Sequence, residues 1–208
     1  MYVPLIFRPE SSAAVRKLIQ NYPFATLTGQ AEGKLQAVHL PLLLVETESG
    51  EWFLEGHIAA GNNLQEALRN PASSLLAIFQ GPHAYVSSSW YTHENVPTWN
   101  YMAAHVHGKP TVLSGEDLYQ HLREMVDQYE EGRAQRFYLE QMNPKALAGQ
   151  MKGIVGFRLA VEEVEATFKL SQNRNETDYG RIIAQLEASQ DPLDQALAEA
   201  MKHSTQKK

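Results

Sequence analysis

Residues 153–170, GIVGFRLAVEEVEATFKL, alternate apolar with polar or charged side chains over most of their length. A period of two is the mark of a strand with one face buried, and this one is long. It stands apart from the strand-like segments that precede it, because 114–151 reads as helical. A late strand must either return to close the earlier sheet or leave an open edge that templates aggregation. That requirement narrows the fold to sheets that tolerate a long return connection.

The earlier segments supply such a sheet. FATLTG, KLQAVHLPLLLVE, EWFLEGHI, SSLLAIFQ, AYVSS and PTWNYMAAHVHG read as six strands, most of them joined as hairpins across turn residues such as ESGEW. Pro41 lacks a backbone N–H, so the second strand is expected at an edge or with a bulge. Helices are expected over PESSAAVRKLIQNYP, with Val15, Leu18, Ile19 and Tyr22 on one stripe and Ser11 or Ser12 as cap, and over NNLQEALRNP. SGEDLYQHLREMVDQYEEG opens with a Ser-x-x-Asp capping box, and NPKALAGQM starts at a proline. TDYGRIIAQLEA and DPLDQALAEAMKH form two further helices. Seven mostly antiparallel strands with inserted and appended helices predict an α+β barrel.

Composition limits the chemistry. The 208 residues can bury about 70% of their unfolded surface, so neither disulfides nor metals are needed for folding. There is no cysteine, which removes thiolate ligands and a cysteine nucleophile and fits a cytoplasmic protein. The longest apolar run, LPLLLV, is too short for a bilayer, and MYVPLIFRPE has the wrong layout for a secretory signal, so a soluble protein without membrane contact is expected. The net charge of −6, with basic residues dispersed except in the tail KHSTQKK, gives no support to DNA binding by phosphate neutralisation.

The stretches that carry chemistry are FQGPHAYVSSSWY, VPTWNYMAAHVHG and FKLSQNR. His105-x-His107 would need a third donor to bind a metal, and none stands nearby, so no metal site is assigned. Ser87, Ser88 or Ser89 near His83 lack the strand–elbow–helix context of a nucleophile, and no catalytic residue is assigned. FKLSQNR brings two cations together with hydroxyl and amide groups, which suits a phosphate or carboxylate, or else is a solvated loop. Trp90 and Trp99 could clamp an aromatic ring or belong to the core. Together these features describe a planar, heteroatom-rich ligand with an anionic tail, for which FMN is a candidate.

MYVPLIF, GHIA…N, FQGPHAYVSSSWY, VPTWNY, HVHG and KLSQNR together resemble the PaiB-type family of FMN-binding negative transcriptional regulators, from Met1 to about Leu186. The resemblance implies a mainly antiparallel split β-barrel related to pyridoxamine-phosphate oxidases, with peripheral and C-terminal helices. It implies a homodimer with flavin at the subunit interface, and repression linked to sporulation and degradative-enzyme genes. Residues 1–190 would form the FMN-binding domain and 191–208 a C-terminal helix and frayed tail. It places His57 and Asn62 at the cofactor phosphate, and Ser88, Ser89, Trp90, Thr98, Trp99, Asn100, Lys169, Ser171, Gln172 and Arg174 in the cofactor-binding motifs. Ala60 and Asn63 depart from the pattern, which there carries a basic residue and a proline. The alternative class is an FMN-dependent oxidoreductase or haem-handling split barrel. Since flavin chemistry needs no particular side-chain acid or base, the sequence leaves open whether the protein is an enzyme.

Overall fold

A computed structural model describes residues 1–204. The expected frayed tail therefore lies, from residue 205 onward, outside the described residues. Seven strands form one sheet in the order β2-β1-β5-β6-β7-β4-β3. They are β1 (Phe24–Ala31), β2 (Lys34–Pro41), β3 (Leu43–Glu46), β4 (Trp52–Ala59), β5 (Leu75–Val86), β6 (Thr98–Leu113) and β7 (Ile154–Lys169). Among the described residues six α-helices accompany them: α1 (Ser12–Asn21), α2 (Gln65–Arg69), α3 (Gly115–Glu130), α4 (Pro144–Met151), α5 (Glu176–Glu187) and α6 (Pro192–Lys202). No described helix is long and apolar enough to cross a membrane.

The chain divides into two compact units. A central unit comprises Pro23–Ile78 and Val106–Val164; a terminal unit comprises Met1–Tyr22, Phe79–His105 and the chain from Glu165. In the central unit β1 pairs with β2 from Phe24↔Pro41 to Ala31↔Lys34, and β4 pairs with β7 from Phe53↔Ala160 to Ala59↔Ile154, both antiparallel. The long late strand thus sits inside the strand order, not at its edge.

Closure comes from elsewhere. KLQAVHLPLLLVE is not one strand but two, β2 and β3, which stand at opposite ends of the strand order and are separated only by Leu42. Two Cα steps span at most about 7.6 Å, so in this unit the sheet curls until its edges meet. Pro41 ends the first piece, and the Leu42 N–H turns to the Pro23 carbonyl (2.9 Å) while its side chain is fully buried. Conversely, SSLLAIFQ and AYVSS form a single strand, β5, running through Gly81 and Pro82. A Cβ on Gly81 would stand 2.5 Å from Leu18 Cδ1, so a larger residue there would require that side chain to shift.

Helix ends mostly follow their local chemistry. Ser11 caps α1 by accepting from the Ala14 N–H (3.2 Å), and Val15, Leu18 and Ile19 are its buried face. Asn143 and Asp191 cap α4 and α6, each followed by a proline in the first turn. The expected Ser114 capping box is not made: Ser114 occupies the cap position of α3 without a side-chain bond, and Gly115 takes a left-handed φ of 56°. In the terminal unit the Tyr179 hydroxyl donates to the Met201 carbonyl (2.6 Å), tying α5 to α6.

Closely packed strands fix which glycines can change. A Cβ on Gly108 of β6 would lie 2.6 Å from the Ala160 carbonyl oxygen of β7, an atom that cannot rotate away. Gly180, exposed in α5, would meet nothing within 4 Å. Denaturant unfolding is expected to show Gly108→Ala losing about 1–3 kcal/mol, and Gly180→Ala unchanged or stabilised by up to about 1 kcal/mol.

Candidate functional site

The segment that follows β7 is a built turn rather than a solvated loop. Ser171 has a left-handed φ of 61°, which an L-residue with a Cβ adopts at a cost. Buried partners hold it there. Asn100 of β6, fully buried, donates from Nδ2 to Ser171 Oγ (2.9 Å). Gln172, also buried, accepts the Leu170 N–H at Oε1 (2.8 Å) and donates from Nε2 to the Phe168 carbonyl (2.5 Å). Asn100, Ser171 and Gln172 therefore spend their polar groups on the turn. What the turn presents is Lys169 before it and Arg174 after it.

Lys169 donates from Nζ to Thr98 Oγ1 (2.5 Å), joining the end of β7 to the start of β6. Burial pushes its ammonium below the usual lysine range, and the positive charge of Arg174 pushes it further in the same direction. The Arg174 guanidinium lies 4.9 Å over the Tyr91 ring, and its Nε is buried without a hydrogen-bond partner. Neither cation forms an ion pair among the described residues. Tyr91 Oη is likewise buried and unpartnered. Two repelling cations beside orphaned donors are a poor arrangement for stability alone and a suitable one for an anionic group.

Asp178 pins the loop between β5 and β6. It is fully buried and accepts the Thr92 N–H (2.7 Å), the Thr92 hydroxyl (2.9 Å) and Asn175 Nδ2 (2.8 Å), with His93 Nδ1 at 3.2 Å. Burial opposes its ionisation, but the two Thr92 bonds, the Asn175 bond and the charge of His93 prevail and hold its carboxyl below the usual aspartate range. The loop so fixed begins with a short 3₁₀ turn, Ser88–Trp90, where Ser88 and Ser89 are exposed and Trp90 is partly buried. Ser87 Oγ accepts from the Ser89 N–H (3.2 Å). Trp99 is 55% exposed, with the rings of Tyr85 and His83 about it at 6.0 and 6.3 Å.

Ten of the twelve expected binding residues thus belong to the terminal unit, and His57 and Asn62 belong to the central one. Asn62 Oδ1 accepts the Leu64 N–H (2.9 Å), turning the chain into α2. His57 Nδ1 faces His121 Nε2 at 3.2 Å. A cavity of about 460 Å³ in the terminal unit is walled by Leu18, Tyr22, Met102, Phe168 and Leu170, and of the expected residues only Gln172 lines it. Tyr91, Thr92 and Asp178 were not anticipated. Asn175-x-x-Asp178 is a helix-start pattern that could have flagged Asp178, whereas its bonds to Thr92, 86 positions away, have no sequence signal.

The Asp178 cluster predicts an acid limb of stability. An unfolded aspartate titrates near about 3.9. With the native value depressed below it, the contribution is complete above that pH and is lost as pH falls through the native value. Chemical denaturation between pH 3 and 6 should show Asp178→Asn less stable than the parent at pH 6, with the gap narrowing toward pH 3.

Comparison with known proteins follows this geometry. A domain family described as "Putative FMN-binding domain" matches residues 1–163. The protease synthase and sporulation protein PAI 2 of Bacillus subtilis (strain 168) is 40% identical over 207 residues, spanning all of this chain and 99% of its own length. Among solved structures, the FAD and heme binding protein from Mycobacterium smegmatis aligns with a TM-score of 0.60 at 18% identity, over 77% of this chain and 72% of that one. The flavocytochrome Anf3 from Azotobacter vinelandii aligns with a TM-score of 0.56 at 16% identity, over 83% and 74%. These two establish the fold, an α+β split barrel with a seven-stranded antiparallel sheet. The chain is therefore a homologue of PAI 2 and belongs to the PaiB-type family defined by this FMN-binding domain.

Proposed function

We propose that the protein binds FMN and acts as a flavin-dependent regulator, with Lys169 and Arg174 holding the phosphate. The observation that carries the reading is the unpaired cation couple with its buried, orphaned Arg174 Nε. A bound phosphate would accept from that Nε–H and offset the Arg174 repulsion that, after burial, lowers Lys169. Thr98 would orient Lys169 through the existing hydrogen bond. Exposed Ser88 and Ser89 offer hydroxyl groups, and exposed Trp99 a π-face, to the rest of the molecule. A bound flavin supplies electron or hydride transfer; the side chains named here bind and orient it.

The regulatory part of the reading is supported by the 40% identity to a sporulation protein. With a net charge of −6, regulation through a protein partner fits better than direct reading of DNA. We further propose a homodimer, supported by apolar side chains left outside in the terminal unit, with Trp99 55%, Tyr85 46% and Val96 71% exposed. A cytoplasmic setting suits a flavin-sensing regulator.

Titration of FMN into the cofactor-free protein, followed by flavin fluorescence, is expected to saturate at one flavin per chain. Arg174→Gln and Lys169→Gln should each weaken binding about 10–100-fold, the range of a lost charge-assisted hydrogen bond. Unchanged affinity in both variants would remove the phosphate assignment. Reduction of the bound flavin by NADH or NADPH would favour an oxidoreductase, and a salt-sensitive shift of a promoter fragment would favour direct DNA binding. Light scattering should give twice the chain mass, and Trp99→Asp should halve it.

A further inference from the structure

The central unit holds a second set of titratable groups that the flavin reading leaves unused. Glu55 and His57 lie two residues apart on β4 and so on the same face of that strand. Glu55 is 3% exposed; its Oε1 accepts from Arg158 of β7 at Nε (2.6 Å) and Nη2 (2.5 Å). Its Oε2 lies 3.4 Å from Nδ1 of His121, a fully buried histidine on α3. That Nδ1 is buried and makes no hydrogen bond of ordinary geometry; the Glu55 carboxylate is the acceptor it faces. On the far side of the ring, His121 Nε2 is 3.2 Å from His57 Nδ1. The two rings meet edge to face, with centroids 5.5 Å apart.

Proton positions follow from the carboxylate. Burial opposes ionisation of Glu55, but the facing His121 and the Arg158 bonds prevail and keep it ionised. A neutral His121 beside it must therefore carry its proton on Nδ1 and accept at Nε2. His57 then donates from Nδ1, which leaves the lone pair on its Nε2. That atom has no protein partner among the described residues, and the side chain that carries it is half-buried.

We propose that Glu55, His121 and His57 form a proton relay, and that His57 Nε2 is an acid–base site for a ligand with a weakly acidic O–H or N–H group. The ligand's X–H bond breaks and its proton joins His57 Nε2. The proton on His57 Nδ1 passes to His121 Nε2, the X–H electron pair stays on the ligand, and the positive charge comes to rest on His121 against Glu55. The reverse sequence returns the proton. His57 is the group that meets the ligand; His121 and Glu55 position it and hold the charge, and Arg158 is the other charged group facing the carboxylate. The inference does not depend on flavin binding. It also makes His57 a neutral hydrogen-bonding group rather than a cation for a phosphate, because burial presses its proton affinity down and a positive charge arriving on His121 presses it further.

Long-range ¹H–¹⁵N correlation spectra of the full chain test the relay. Both histidines are expected as Nδ1–H tautomers above pH 8, and on acidification both are expected to shift together in a single protonation step. Glu55→Gln should lower that shared midpoint by about one pH unit, a tenfold loss of proton affinity. If that variant does not fold, His121→Gln is used instead, and His57 should then titrate alone at a changed midpoint. Diethyl pyrocarbonate, which acylates an accessible imidazole lone pair, should modify His57 and spare His121 in mapped peptides. Independent titrations, an Nε2–H tautomer at His57, a midpoint unmoved by the variant that folds, or a His57 inert to the reagent would each overturn the proposal.

Discussion

One residue, Leu42, carries the chain from one edge of the sheet to the other. Because β2 and β3 end the strand order on opposite sides and cannot be farther apart than two Cα steps, the sheet has no freedom to lie open. Closure at this point leaves the long strands β5, β6 and β7 inside the strand order rather than at an edge. It also sets tight local limits. A Cβ on Gly56, between Glu55 and His57, would come within 2.6 Å of Leu42 Cδ2 and 3.1 Å of Phe157 Cζ. The backbone of β4 is thereby drawn close to the closing residue, and the face opposite Gly56 is the one that holds the relay groups.

The terminal unit answers a different problem. It stabilises a left-handed serine with a buried asparagine and a buried glutamine, an arrangement more expensive than a glycine turn would be. The return on that expense is position: Lys169 and Arg174 leave the turn with their charges near each other and without carboxylate partners. In a chain with 24 acidic residues and only 18 basic ones, an unpaired cation couple is not a consequence of scarcity of acids. It is kept unpaired by where the turn puts it.

What the sequence made legible was local. Capping by Ser11 and the start of α4 at its proline could be read because cap, proline and helix are neighbours in the chain. The count of seven strands was right, although KLQAVHLPLLLVE divides at Leu42 and SSLLAIFQ continues through Gly81-Pro82 into AYVSS. The first difference has a tertiary cause, the Pro23 carbonyl that takes the Leu42 N–H, whereas Gly81-Pro82, read as a break, lies within a continuous strand. FKLSQNR could be recognised as a donor-rich segment, but not sorted into residues that build the turn and residues that it presents. That sorting depends on Asn100, some seventy positions away. The relay was hidden for the same reason: His121 sits on the apolar stripe of α3 with Leu118 and Met125, and only the fold brings Glu55 to it.

The two polar clusters also differ in how their charge is balanced, and this bears on what each can recognise. Around Glu55 the carboxylate, Arg158 and the histidine pair are internally matched, so a proton can be accepted there without leaving an isolated buried charge. Around Arg174 the balance is incomplete: the aromatic face of Tyr91 partly offsets the guanidinium, but its Nε–H has no acceptor. A matched cluster favours a neutral ligand that exchanges a proton, whereas an unmatched cationic one favours a ligand that brings negative charge. The same physics that keeps buried charges paired thus separates the acid–base role proposed for the central unit from the anion-binding role proposed for the terminal one.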